Sequence, residues 1–514
     1  GLMKGLAAAL LLLGAACLAG CGGHEFAPEE KVFVLGDTTF NAENEEYGVD
    51  PRRGYSGWAA VRYGAGETLF RYTDDMELAP WLAVSWERPD DRTWRIRLRE
   101  GVTFADGRPM DGTAVKESLE AVLAAQPAVR DMLGISSIEA EGLTVTIATA
   151  EPKPALLQGL SDPRCCIMDV RADVPEGLAV GTGPYQAASV MPGERLELVR
   201  NDRYWGGRPK LDRVVVHTLS DGDTLAMALQ SGAVDGAYGL PYASYPLFDN
   251  EGYQFSRCAT SRVFFLQFNM EGLPGQDSAV RRAAALCIDR AGFVKALLGG
   301  HGYPARGPYP TDFSFADTAA PEGRYAPDEA AEILEAAGWR DTDGDGIREK
   351  NGRPLVLRWL TYPSRQELPL LAEAAQAAMK RAGIDVEIRC TAAHTTVRED
   401  CSQWDIYGSA LVTAPTGDPE YFFTACTLAG SPANFGRFYD EALEEKAREL
   451  SVTFDGARRR ALAVDMQRIL AESGAYVFCT HLEMNLVSRA GVTGLTAHPC
   501  DFYEVTSGLD VEEL

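Results

Sequence analysis

Between residues 371 and 388 the chain changes from a helical to a strand periodicity across one glycine. Leu371, Ala374, Ala375, Ala378 and Ala382 recur at spacings of mostly three and four, Gly383 interrupts the run, and Ile384, Val386 and Ile388 then alternate with Asp385, Glu387 and Arg389. Side chains three or four apart share one face of a helix, whereas alternate side chains share one face of a strand. A helix that returns directly into a half-buried strand lies against the sheet it feeds, so the pattern points to an α/β fold with helices on the faces of a sheet. Other segments agree. Trp94, Ile96 and Leu98 alternate with Arg95, Arg97 and Arg99, and residues 114–123 read as a helix. Ala330, Ile333, Leu334 and Ala337 fall at i, i+3, i+4 and i+7 between Pro327 and Gly338, the usual start and stop residues.

With 514 residues the chain is too long for a single core, and two or three lobes are expected. It has no internal repeat, low-complexity tract or Pro-rich linker, so the lobes should be interwoven rather than strung in series. Hydrophobic residues make up 46% and charged residues 24%, the mix of a soluble globular protein. The 49 Lys and Arg against 74 Asp and Glu give a formal charge of -25. That balance argues against nucleic acid, whose binders need a basic face to displace condensed counterions.

Lys4, the apolar run 6–13 and then Leu18-Ala19-Gly20-Cys21 form a basic start, a short hydrophobic stretch and small residues before a cleavage point. Leu-Ala-Gly-Cys resembles the bacterial lipobox, which implies a signal peptide over residues 1–20, cleavage before Cys21 and lipid on its sulfur and new N-terminus. An uncut anchor helix is the alternative. No later segment approaches the roughly 20 apolar residues of a membrane span. The expectation is a lipid-tethered soluble body outside the cytoplasmic membrane, periplasmic or at the cell surface. Setting Cys17 and Cys21 aside leaves nine cysteines, an odd number, without C-x2-C spacing; most read as unpaired thiols acting as small hydrophobes.

Signatures of catalysis are missing from the sequence. It has no G-x-S-x-G elbow, no H-E-x-x-H and no P-loop, since Gly181-Thr182-Gly183-Pro184 lacks the following Lys and Ser or Thr. Asp341-Thr342-Asp343-Gly344-Asp345-Gly346 looks like the start of a calcium loop, but the twelfth position is Gly352 where a bidentate Glu is needed. A turn between helix and strand is the better reading.

A set of ordered motifs carries more. These are Ala79-Pro80-Trp81-Leu82-Ala83, Asp91-Arg92-Thr93-Trp94 through Gly101-Val102-Thr103-Phe104, Asp106-Gly107-Arg108-Pro109, Gly181-Thr182-Gly183-Pro184-Tyr185, Arg200-Asn201-Asp202-Arg203-Tyr204-Trp205, Leu229-Gln230-Ser231-Gly232 and Ala337-Gly338-Trp339. In order and content they resemble the peptide/nickel family of ABC-importer solute-binding proteins, over most of the mature chain. The resemblance implies a type II periplasmic-binding-protein fold: two α/β lobes joined by a hinge, with an inserted third domain. Carried over, lobe I takes residues 21–60, 187–265 and 485–514, the inserted domain 61–186, and lobe II 266–484, with crossover strands near 262–268 and 480–487. It also implies a monomer without cofactor that captures a small ligand between its lobes and delivers it to an ABC permease and its ATPase.

For the ligand, the resemblance is taken residue by residue. Peptide-binding members hold the ligand's amino group with an aspartate whose place here falls at Pro415, in Val412-Thr413-Ala414-Pro415-Thr416-Gly417-Asp418-Pro419. Nickel-binding members carry Ala-Pro there, with a tryptophan and a tyrosine nearby where this chain has Val412 or Thr413 and Thr416. They also grip a chelator's carboxylates with an arginine, matched by Arg164 in Ser161-Asp162-Pro163-Arg164-Cys165-Cys166. A guanidinium suits that task because its planar fork donates two parallel hydrogen bonds. An arginine paired to a neighbouring acid is the competing reading. Arg130 lies near a second basic position, and Tyr55 and Trp58 lie where those members set an aromatic and a methionine against the ligand; core packing competes for both. The histidine that ligates nickel in those members falls near Ser431, and the other histidines are scattered, so a bare metal site is not expected. Whether any residue binds metal directly stays open, Cys165 and Cys166 being the soft candidates. The expected ligand is a nickel-type metal chelate or another small carboxylate, with a di- or oligopeptide, or a peptide receptor without transport, as the alternatives.

Overall fold

Two long antiparallel strands, Tyr253–Phe268 and Tyr476–Arg489, form the spine of an 11-stranded mixed sheet. The structure is a computed structural model that describes residues 30–39 and 47–512, so the signal segment and Cys21 lie outside the described residues. On one side of the spine the sheet continues through Ile406–Val412, Val356–Thr361 and Asp385–Cys390. The last two are parallel and joined by the helix Glu367–Arg381, the unit that the change of period at Gly383 predicts. That helix buries Leu368, Leu371, Ala372, Ala375, Ala378 and Met379. On the other side lie Gly236–Tyr238, Val32–Asp37, Arg213–Thr218, Arg195–Arg200 and Tyr185–Met191. Val32–Asp37 pairs in parallel with both Arg213–Thr218 and Gly236–Tyr238, and the helix Gly222–Ser231 supplies the crossover between these two.

Residues between these strands build a second, four-stranded antiparallel sheet ordered Ala83–Asp90, Thr93–Leu98, Thr144–Thr149, Ile135–Glu141. The inward side chains of Thr93–Leu98 are Trp94, Ile96 and Leu98, and their arginine neighbours face solvent, as the alternation requires. Together with Val115 and Leu119 of the helix Gly112–Ala125 they form a core of their own. Asp111 starts that helix by accepting the Ala114 N–H at 2.9 Å. The helix Pro127–Leu133 follows directly, with Pro127 at its first turn.

The spine is not uniform. Its pairing shifts between Ala259, opposite Glu483, and Val263, opposite His481, so residues 260–262 on one strand face a single residue on the other. An irregularity of this kind bends a strand and raises its twist. Beside it, the buried Glu483 carboxylate is held by Arg257, by His301 at 2.8 Å and by Asn485 at 2.8 Å.

All nine cysteines of the described residues are unpaired. Cys165 packs into the core of the small sheet and Cys166 into the large central core, so neighbours in sequence point in opposite directions. Burial pushes both thiols up, which removes them as thiolate ligands at neutral pH.

Two contacts outside the four-stranded sheet each give a prediction. The C-terminal segment is tied to residues 72–73 by the buried His498, whose Nδ1 accepts the Cys500 N–H at 3.1 Å while Nε2 lies 3.1 Å from the Tyr72 carbonyl and 3.2 Å from that of Thr73. Burial lowers this imidazole to about 4. An unfolded histidine takes up its proton near pH 6.5, so the contribution of neutral His498 is complete above that pH and is lost as pH falls. Between pH 7 and pH 5 the loss is about 2 kcal/mol. In denaturant unfolding at the two pH values, His498→Gln should lose about 2 kcal/mol less than the parent chain; equal losses would contradict this role. The second contact is the helix Ser56–Arg62 against the turn Pro163–Cys165. A Cβ on Gly57 would stand 2.6 Å from the Pro163 carbonyl oxygen and 2.7 Å from Arg164 Cα. Alanine improves helix propensity by about 1 kcal/mol, but overpacking against backbone costs about 1–3 kcal/mol. Gly57→Ala should therefore lower the melting temperature, and a rise would show that the turn yields.

Candidate functional site

A cavity of about 670 Å³ opens between the elements around residues 55–164 and those around 415–451. Tyr55, just before the helix Ser56–Arg62, and Trp58 within it form part of one wall. Ala128 and Met132 reach the cavity from the helix Pro127–Leu133, Lys153 from the following loop, and Asp162 and Arg164 from the turn Pro163–Cys165. The opposite wall is the segment after the strand Ile406–Val412: Pro415, Thr416, Asp418 and Glu420, then Tyr421 of the helix Tyr421–Cys426.

Arg164 faces the cavity, but its fork is engaged. Nε and Nη2 each donate to the Asp162 carboxylate at 2.9 Å, and the Arg164 backbone N–H donates to the same group at 2.9 Å. Both readings of this residue hold at once: it is paired to a neighbouring acid and it lines the pocket. The Asp162 carboxylate is nearly buried, so the pair acts as an oriented unit that leaves Nη1 as the nitrogen not bonded to Asp162.

The facing wall carries acids. Asp418 accepts from the buried Arg459 at 2.8 Å, and Glu420 lies 3.4 Å from the same guanidinium. Burial, and then Asp418 beside it, push the Glu420 carboxyl above its usual range, while Arg459 and Lys153 act in the other direction. One cation shared between two carboxylates leaves this wall net negative, opposite Arg164 and Lys153. The Trp58 indole Nε1 is buried without a hydrogen-bond partner among the described residues, and its ring meets Phe502 edge-on at 5.5 Å.

The two walls touch at their lips. The Tyr72 hydroxyl lies between two carbonyls that share its single proton, that of Gln158 at 2.8 Å and that of Thr416. Gly417 permits this approach, because its φ is +62° and a Cβ there would enter the Tyr72 ring at 2.4 Å. Further out, the Arg88 guanidinium lies 3.7 Å over the Phe454 ring, which also packs against Trp94 at 5.9 Å.

Of the residues singled out from sequence, the structure brings Arg164, Tyr55, Trp58 and Thr416 to this cavity. Two expectations are corrected. Arg130 is exposed outside it: Ala128 and Met132 are four apart and share the inward face of their helix, and the residue midway between them points elsewhere. Thr413 is fully buried outside it, its hydroxyl within hydrogen-bond distance of the Ser261 carbonyl at 3.0 Å and the Pro308 carbonyl at 2.7 Å, so it holds the strand end. Sequence reasoning missed Lys153, Asp418, Glu420 and Tyr421; the acids at 418 and 420 flank Pro419 in a turn that the motif comparison reached without weighing their charge. The acidic turn 341–349 lies outside the cavity, its carboxylates accepting backbone N–H groups from Gly344, Gly346, Asp345, Ile347 and Thr342. Among the described residues no group of three or more His, Cys, Asp or Glu ligand atoms converges in the cavity, and no helix is long and apolar enough to cross a membrane.

Residues 77–433 match the family model of bacterial extracellular solute-binding proteins, family 5. The nickel-binding protein NikA of Staphylococcus aureus is 26% identical over 455 residues, covering 88% of this chain and 90% of that protein. The probable D,D-dipeptide-binding periplasmic protein DdpA of Escherichia coli is 26% identical over 465 residues, 85% of this chain and 87% of its own length. Among solved structures, the nickel ABC transporter protein of Bacillus halodurans superposes with a TM-score of 0.86 at 33% identity, over 94% of this chain and all of the other. The fold is that of a type II periplasmic binding protein, a class that binds solutes for transport and is not enzymatic. The chain belongs to the family 5 extracellular solute-binding proteins, the extracytoplasmic ligand-capturing subunits of ABC importers of the nickel and peptide type.

Proposed function

We propose that this protein captures a small ligand bearing carboxylate groups, carried as a nickel-type metal chelate, in the cleft between Arg164 and the 415–421 segment, and delivers it to a membrane permease. The observation that carries the reading is the cavity of about 670 Å³ with Arg164 and Lys153 on one wall, a size within the range of ligand pockets of roughly 300–1,000 Å³. Arg164 Nη1, oriented by Asp162, would donate to a ligand carboxylate. The chelator would supply the metal's ligands, in keeping with a cavity whose own side chains offer no converging donor set. The relatives named for nickel binding support the same choice.

A peptide is the second reading, and one observation favours it. Asp418 and Glu420 share Arg459 and present excess negative charge to the cavity, which suits a ligand ammonium group that the proline at 415 cannot hold. The relative named for D,D-dipeptide binding is consistent with it.

In either case a ligand touching both walls binds the closed form better and shifts the equilibrium toward it. In this reading the walls belong to lobe I with its inserted domain, residues 61–186, and to lobe II, residues 266–484. The closed form would dock on the permease, where the ATPase drives transport. We further propose that the mature chain begins at Cys21 and is held at the membrane by lipid on that residue.

Calorimetry and thermal shift with nickel plus L-histidine, set against di- and tripeptides, separate the readings. At a hundredfold excess over Kd, stabilisation of about 2.7 kcal/mol is expected for the true ligand. Arg164→Gln should weaken chelate binding at least tenfold with the fold intact, while Glu420→Gln leaves it within twofold. A response to peptides alone, abolished by Glu420→Gln, would replace the chelate reading with the peptide one. For the anchor, Cys21→Ser should abolish labelling by radioactive palmitate and release the protein from the membrane fraction; retained labelling would contradict it.

A further inference from the structure

The four-stranded sheet has a core of its own, and one side chain packed on it comes from elsewhere. Among the described residues, every other hydrophobic side chain in or against that core lies between residues 69 and 205; the exception is Phe454. Phe454 sits in the turn between the helices Glu441–Val452 and Gly456–Ser473. The buried faces of those helices, Leu443, Leu450, Leu462 and Met466 among them, belong instead to the central core of the molecule. One ring therefore crosses from the body bearing the acidic wall of the cleft into the core that also takes Cys165, the neighbour of Arg164. It does so outside the cleft, whose lining does not include it.

The seat of this ring is aromatic and cationic. The Arg88 guanidinium lies 3.7 Å over it, Trp94 is 5.9 Å away, and Trp86 continues the row 5.1 Å beyond Trp94. The turn that presents it is held firmly. Asp455 caps the second helix by accepting the Arg458 N–H at 3.1 Å. The buried Arg459 donates through Nη1 to the carbonyls of Leu450 at 2.8 Å and Thr453 at 3.0 Å. Through Nη2 the same guanidinium donates to Asp418 at 2.8 Å and lies 3.4 Å from Glu420. The turn with Phe454 and the acidic wall are pinned to one buried cation, so a displacement of one carries the other.

An ion pair beside this contact, Arg460 with Glu77 at 3.6 Å, joins two exposed groups and adds little. The Phe454 contact removes apolar surface from water and sets a cation on a ring face, both of which favour the joined state. We propose that Phe454 is a closing latch: seated under Arg88 and against Trp94, it holds the acidic wall toward the wall of Arg164, and it is a positioning residue for ligand capture that touches no ligand. A ligand binds more tightly when the state it prefers is already populated, so the latch raises affinity for any ligand that spans the walls. This rests on the reading of the cleft as the capture site.

The test compares full chains without ligand by small-angle X-ray scattering. Phe454→Ala should have a larger radius of gyration than the parent, at the same molecular mass and circular dichroism. Arg88→Ala, made on the half-buried partner across the contact, should expand the chain in the same direction, and it decides the matter if Phe454→Ala does not fold. The double variant should expand no further than Phe454→Ala. In calorimetry, whichever of nickel plus L-histidine or dialanine binds the parent should bind Phe454→Ala at least threefold more weakly. Equal radii for the parent and the single variants, additive expansion in the double variant, or an unchanged Kd would each overturn the proposal. The scattering arm needs no ligand, so failure of the latch and failure of the cleft reading give separate results.

Discussion

The antiparallel pairing of Tyr253–Phe268 with Tyr476–Arg489 is the constraint from which the rest of the molecule follows. These strands are distant in sequence, yet they hydrogen-bond along most of their lengths and carry every other strand of the large sheet on their flanks. A pair so long would be a rigid rod if its register were regular. The three-against-one irregularity between Ala259 and Val263 interrupts it, and the buried Glu483, with Arg257, His301 and Asn485 around it, pins the strands beside the interruption. Charge buried with its partners in place costs little, whereas the same carboxylate left alone would be expensive, so the local geometry is strongly specified. The two halves of the sheet are joined through an irregular pairing with fixed chemistry on one side of it.

The cleft is built by segments held to these halves. One wall is fixed by close packing, since the helix Ser56–Arg62 lies against the turn bearing Arg164 with room only for glycine at position 57. The other is fixed by charge, since Arg459 gathers Asp418 and Glu420 at the start of the helix Tyr421–Cys426. These restraints make the pocket a pre-formed surface with positive and negative walls. Binding by such a surface costs less ordering than binding by mobile loops. The contacts of Tyr72 with Thr416 and of Phe454 with Arg88 and Trp94 hold the lips together, and they are few and small enough for a ligand's contribution to matter.

Much of the fold was legible in the sequence because period and punctuation are local. The helices Pro327–Ala336 and Glu367–Arg381 and the strands Thr93–Leu98 and Asp385–Cys390 fall where their apolar spacing puts them, within the residue or two by which helix and strand ends vary. The candidate site was legible only in part, for a physical reason. Arg164, Tyr55, Trp58 and Thr416 could be named because motifs carried them. Whether Arg164 is free to grip a ligand depends on Asp162, two residues away, folding back onto it, and no spacing rule states that. Arg130 was lost to helix phase and Thr413 to burial. The acids Asp418 and Glu420 could not be weighed without Arg459, which comes about forty residues later and reaches them only in the folded chain.

The central claim is that a ligand held between the two walls draws them together across the irregular spine. Small-angle X-ray scattering of the protein alone and saturated with nickel plus L-histidine, or with a peptide if that is what binds, tests it most directly. The account predicts a smaller radius of gyration in the saturated sample, with no change in molecular mass. A ligand that binds to saturation while the scattering curve stays the same would contradict it.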